Sequence, residues 1–169
     1  HKMNPFIKYK LSDPLGEEAI MASKTEAFFQ RNLGKYFAVI FLTTAVGSFY
    51  GYLDHHGFKM GDWLINYQGG FVRRGFIGEL IIRISSATRV NPGIYVFALQ
   101  TSLYSVFLFF SYSLLRRQRL LLPYSLLIIS PFIFTFQVSD LTGGYRKEIL
   151  YLALLAFYVW LANAKKAKQ

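Results

Sequence analysis

Long apolar runs alternate with short polar islands along this chain. Residues Tyr36–Leu53, Ile94–Leu115, Leu120–Val138 and Ile149–Ala162 are almost uncharged. A helix rises about 1.5 Å per residue, so roughly 20 residues cross a hydrocarbon core. The second and third runs reach that length and the first nearly does. The fourth reaches it when its helix is extended to residues 146–164. A helix on the surface of a soluble domain shows a polar face every 3.6 residues or so. The run Tyr95–Phe110 has only small or uncharged polar side chains and no charged face. The pattern predicts an all-α integral membrane protein with four transmembrane helices, at about 36–53, 94–115, 120–138 and 146–164.

The intervening segments predict smaller elements. Residues 3–35 read as a peripheral N-terminal segment, with a turn at Ser12-Asp13-Pro14. Ser23 and Glu26 have the spacing of a capping box, which predicts a helix start there. Thr43, Thr44, Gly47 and Ser48 give the first span a small-residue face suited to close packing. The stretch 54–93 is too long to be a mere connector. Within it, Phe76, Ile77, Leu80, Ile81 and Ile84 fall on one face of a helix over Phe76–Arg89, while Glu79 and Arg83 lie four apart on the other. This segment predicts one interfacial amphipathic helix in the first outer loop. Pro123 and Pro131 predict a kink or break in the third span. No internal repeat or linker divides the membrane domain, residues 36–164.

Charge changes the picture by giving it an orientation. Nineteen Lys and Arg against nine acids leave a formal charge of +10. The cations flank the apolar runs, which argues for lipid headgroups and against nucleic acid. With four spans, twelve of the nineteen fall on the side of the termini and the Arg116–Arg119 loop. The positive-inside rule then places both termini in the cytoplasm and the glycine-rich loops outside, in a multi-pass protein. There is no cysteine, which excludes disulfides, thiol catalysis and cysteine metal sites. No secretory-signal pattern is read in His1–Lys35.

Candidate chemistry concentrates in two polar islands. In the first, Asn66, Gly69 and Gly70 precede Arg73 and Arg74. A Gly-Gly pair permits close backbone approach, successive amides can form an anion nest, and guanidinium forks suit phosphate. In the second, Gly143 and Gly144 precede Arg146 and Lys147. Cations in the first turn of a helix oppose its dipole, so an anion there would relieve a conflict. Both islands together predict one anion or lipid-phosphate site on the outer face. Asp62 and Asp140 each open a glycine-rich element and are the candidate catalytic bases for activating a sugar hydroxyl. Glu79 has a ready partner in Arg83 and reads as structural. The adjacent His55 and His56 lack a third ligand, so no metal site is predicted. No P-loop, serine elbow or dinucleotide fingerprint is present, and no cofactor is predicted.

At these two loops the chain resembles a set of bacterial polytopic inner-membrane proteins of surface-polysaccharide assembly. The matching pieces are Asn66-Tyr-Gln-Gly-Gly-Phe-Val-Arg-Arg-Gly75 with Gly78-Glu79 behind it, and Gly143-Gly-Tyr-Arg-Lys-Glu148. The resemblance implies work on undecaprenyl-linked saccharides at the periplasmic face, as in O-antigen polymerases or lipid-sugar-dependent glycosyltransferases. Such enzymes usually have many more than four spans. The competing expectation is a non-catalytic four-helix membrane subunit that packs on a membrane-protein partner and binds anionic lipid.

Overall fold

The computed structural model describes residues 14–54, 58–71, 75–118, 122–130, 132–140 and 144–166. Every regular element among them is helical. Helix α1 spans Pro14–Leu53, α2 Phe58–Leu64, α3 Gly75–Thr88 and α4 Pro92–Leu115. A 3₁₀ turn at Leu122–Tyr124 leads into α5, Ser125–Ile129, followed by α6, Phe136–Ser139, and α7, Ile149–Lys166.

Helix α1 is one continuous element of 40 residues, about 60 Å long. Proline suits a first helical position because the missing amide hydrogen has no partner there anyway. The helix start read at Ser23–Glu26 is therefore corrected. That stretch lies inside the helix, where the Thr25 hydroxyl donates to the Met21 carbonyl at 2.9 Å. The turn at Ser12-Asp13-Pro14 falls mostly outside the described residues. Helix α4 starts as expected, with Pro92 in its first turn and Asn91 accepting the Gly93 amide at 2.8 Å.

Helices α1 and α4 run antiparallel. Phe37 meets Tyr112 near one end, Ser48 meets Gln100 further along, and Tyr52 meets Phe97 near the other. Helix α7 lies against α4 and runs in the same direction, with Leu150 beside Leu103 and Phe157 beside Phe110. A parallel pair needs a return crossing, and residues 122–139 supply it alongside α1. Tyr36 donates to the Ile128 carbonyl, Phe37 packs on Phe134 at 5.3 Å, and Gln137 reaches Thr44.

The return segment is broken, as Pro123 and Pro131 predict, and is not the one continuous helix that apolarity alone would give. It is made of short helical pieces, with turn residues 132–135 ahead of α6. Proline at 131 offers no amide hydrogen to a helix. The turn satisfies its own backbone: Ser130 Oγ accepts the Phe132 amide at 3.2 Å, and the Ser130 carbonyl accepts the Thr135 hydroxyl at 3.2 Å.

Helices α1 and α4 are long and apolar enough to cross a membrane, and α7 is a shorter apolar helix. Only 28% of the most apolar window of α1 or of α4 is buried, unlike the core helix of a soluble domain. Val39, Leu42, Val46, Phe109, Leu155 and Tyr158 point outward, whereas exposed apolar patches of this extent are rare on soluble monomers. The interior is largely aromatic, with Phe37, Tyr104, Phe107, Phe134 and Tyr145 buried together.

Helix α3 forms within one residue of its expected limits, but its apolar residues divide between two directions. Gly75, Gly78 and Ile81 face the protein, while Phe76, Leu80 and Ile84 are exposed. The absence of a Cβ at Gly75 and Gly78 lets α3 sit directly on the segment after α2, which turns the larger residues outward.

Candidate functional site

The polar side chains of the apolar helices converge on one backbone segment, Gly144–Lys147. Trp63, fully buried at the end of α2, donates its indole N–H to the Tyr145 carbonyl at 2.6 Å. Gln100 of α4 donates to the same carbonyl at 3.2 Å, and its own amide oxygen accepts the Ser48 hydroxyl at 2.8 Å. The Tyr104 hydroxyl donates to the Gly144 carbonyl. Tyr145 in turn donates its hydroxyl to the Thr44 carbonyl at 3.0 Å and packs over Gly47 of α1. Gln137 of α6 donates to Thr44 Oγ1 and to the Phe134 carbonyl, both at 2.9 Å.

Depth follows from helix geometry. Gln100 is eight residues beyond Pro92, so the Tyr145 carbonyl lies about 12 Å along α4, and Tyr104 lies about 18 Å along it. Gly144, Tyr145 and Lys147 of the second glycine-rich segment are buried level with the middle of α4, while Arg146 and Glu148 are exposed. Backbone polar groups buried there need hydrogen-bond partners from the protein. Trp63, Gln100 and Tyr104 supply them.

The predicted site residues separate into two groups. Asp62 is half-buried, and its Oδ2 accepts the Lys147 amide at 3.4 Å, so α2 and the second segment are in contact. Gly144 is buried, and its amide donates to the Asp140 carbonyl at 2.8 Å. A Cβ at Gly144 would press on Gln137 and stand 2.7 Å from that same carbonyl. The close approach this glycine permits is thus to protein backbone. Asp140 is exposed at the segment's edge. Arg146 is exposed, whereas Lys147 is only 7% exposed, a cation drawn into the bundle.

The other group lies in the open. Asn66 Oδ1 accepts the Gln68 amide at 2.9 Å, and the Gly70 amide closes a turn on the Tyr67 carbonyl at 3.0 Å. Gly70 takes φ +114°, where a side chain would be strained. Gly69 and Gly70 are exposed, with open space where a Cβ would stand. Tyr67 stacks on Phe71 at 5.7 Å and is tied to α3 through its amide, which donates to Glu79 at 3.4 Å. The Arg83 hydrogen bond, at 2.8 Å, holds the Glu79 carboxyl below its usual range, with the Tyr67 amide assisting. Arg73, Arg74, Gly143 and the pair His55-His56 lie outside the described residues.

Three features of the site escape the sequence reading. Trp63 is its linchpin, although a lone tryptophan beside a glycine-rich loop carries no signal of burial. Thr44 with Ser48, and Gln100 with Tyr104, are polar residues four apart in uncharged runs. That spacing puts each pair on one helix face, and it was the legible clue. The third is Gln137, which is completely buried and whose Oε1 has no hydrogen-bond partner among the described residues. Its NH₂ faces two acceptors, and Thr44 already gives its proton to the Ile40 carbonyl at 2.7 Å. Turning the amide over would therefore lose bonds, which leaves its oxygen an acceptor in need of a donor.

Among the described residues no group of three or more His, Asp or Glu is placed to hold a metal ion. Comparison with protein-family models, curated proteins and solved structures finds no match.

Proposed function

We propose that this chain is a multi-pass protein of the bacterial inner membrane that binds the phosphate of an anionic lipid from the periplasmic side. A polyprenyl-phosphate-linked saccharide of surface-polysaccharide assembly fits that chemistry. In this reading the chain crosses four times with both termini cytoplasmic, the broken 122–139 segment serves as the third crossing, and α3 lies in the outer interface with Phe76, Leu80 and Ile84 toward lipid.

One observation carries the reading. Lys147 is buried beside Asp62 in a discontinuous part of the bundle, ahead of α7. Ionisable groups are costly at membrane depth and are kept there for ligands or ion pathways. Broken helices bring backbone dipoles and polar side chains to a ligand where continuous helices would not. The Gln137 oxygen, without a partner among the described residues, supplies an acceptor for a hydroxyl donor. The Asp62 contact to the Lys147 amide favours a positioning role for this carboxylate, so binding without catalysis is the better-supported form of the proposal.

The test is native mass spectrometry of the full chain with an added polyprenyl phosphate. Arg146→Ala and Lys147→Met should each lose the bound lipid, and Arg83→Gln should keep it. Equal retention by all three proteins would sink the proposal.

A further inference from the structure

Helices α1 and α4 do not close fully on each other at the end away from Gln100. A groove of about 410 Å³ runs between them, lined by Gly34, Ala38 and Phe41 on one wall and Ser105, Phe109 and Tyr112 on the other. It opens on the apolar exterior of the bundle. Its surface is nearly all carbon, and the Ser105 hydroxyl is already committed to the Thr101 carbonyl at 2.6 Å.

Helical spacing extends both walls. Residues 31, 34, 38 and 41 form one stripe on α1, and residues 105, 109, 112 and 116 form one on α4. Arg31 and Arg116 therefore stand one turn beyond the same end of the groove. Gln30 confirms that these ends adjoin, since its side chain donates to the Gln118 carbonyl at 3.0 Å. Both arginines are exposed, and the described residues give neither an ion-pair partner.

We infer that the groove seats one acyl chain of an anionic phospholipid, with the phosphate held between Arg31 and Arg116. Two guanidinium groups at the mouth of an apolar channel match a ligand with one negative head and a hydrocarbon tail. A zwitterionic lipid offers the same tail without the net charge. A second copy of the chain would bring its own arginines toward these. The site lies at the opposite end of α1 and α4 from the Tyr67–Phe71 loop, and it stands independently of the proposed binding at Lys147.

Native mass spectrometry of the detergent-purified full chain, titrated with phosphatidylglycerol or phosphatidylcholine, tests the inference. Wild type should hold one phosphatidylglycerol that survives delipidation and should release phosphatidylcholine. Arg31→Gln with Arg116→Gln should weaken the first by about thirtyfold. Ala38→Trp, which fills an exposed part of the groove, should abolish it, with thermal unfolding near the wild-type midpoint showing that the fold survives. Arg83→Gln, on α3, should change nothing. Equal retention of both lipids, equal binding by the double-arginine variant, or a dimer dispersed by Ala38→Trp would each overturn it.

Discussion

Trp63 donates its indole N–H to the carbonyl of Tyr145 across 2.6 Å, linking residues 82 apart in the chain. The bond ties the segment between the first two membrane-length helices to the break before α7. It also makes the buried backbone at Tyr145 tolerable. Trp63→Phe keeps the aromatic bulk and removes the donor, leaving Gln100 to serve the carbonyl alone. A loss of about 1–2 kcal/mol in unfolding free energy is expected. Denaturation in detergent followed by Trp160 fluorescence measures it, and an unchanged midpoint would mean that the bond contributes nothing.

Gly47 lies under the Tyr145 side chain, where an added Cβ meets the phenol hydroxyl. Gly47→Ala should therefore cost roughly 1–3 kcal/mol through overpacking. Removing the hydroxyl with Tyr145→Phe in the same chain should recover part of that loss. Additive losses in the double variant would show that the two positions do not touch.

Glu79 supplies a pH dependence. Its folded-state pKa lies below the ordinary 4.5, because the carboxylate accepts from Arg83 and from the Tyr67 amide. The unfolded chain thus takes up a proton more readily, and the stabilisation is present above pH 4.5 and fades as pH falls through the folded value. Following the Glu79 carboxyl by NMR should show a midpoint under 4.5 that rises in Arg83→Gln. A wild-type midpoint at or above that value would refute the assignment.

Orientation is open to labelling. Gly61 has no neighbour within 4 Å of an added Cβ, and Gln118 is exposed at the far end of α4. The chain has no cysteine of its own. In intact cells an impermeant thiol reagent should label Gly61→Cys and spare Gln118→Cys. The reverse pattern would invert the proposed topology.

Much of the helical framework was legible because it follows from composition alone. Uncharged runs of membrane length became α1 and α4, and the Glu79–Arg83 spacing marked α3 to within a residue. The third run is broken, as its two prolines predict, and the extent of the break follows from turn hydrogen bonds at Ser130 that hydropathy does not register. The candidate site was half legible. Asp62 and Gly144–Lys147 do meet through one contact, but burial of the second segment depends on Trp63, Gln100 and Tyr104. Those residues are brought together by tertiary packing across long sequence separations, which local spacing does not encode.

The partners of Tyr145 carry one more consequence, for the order in which the protein is assembled. Thr44, Trp63 and Gln100, which bond to Tyr145, and Tyr104, which holds the neighbouring carbonyl, all precede it in the chain. A ribosome delivers them first, so every residue of the socket precedes its occupant out of the exit tunnel. Unbonded carbonyls would be costly in lipid, so residues 144–148 are expected to wait at the insertion machinery until that socket closes around them. Once docked, residues 144–147 tie α1, α2 and α4 to one another.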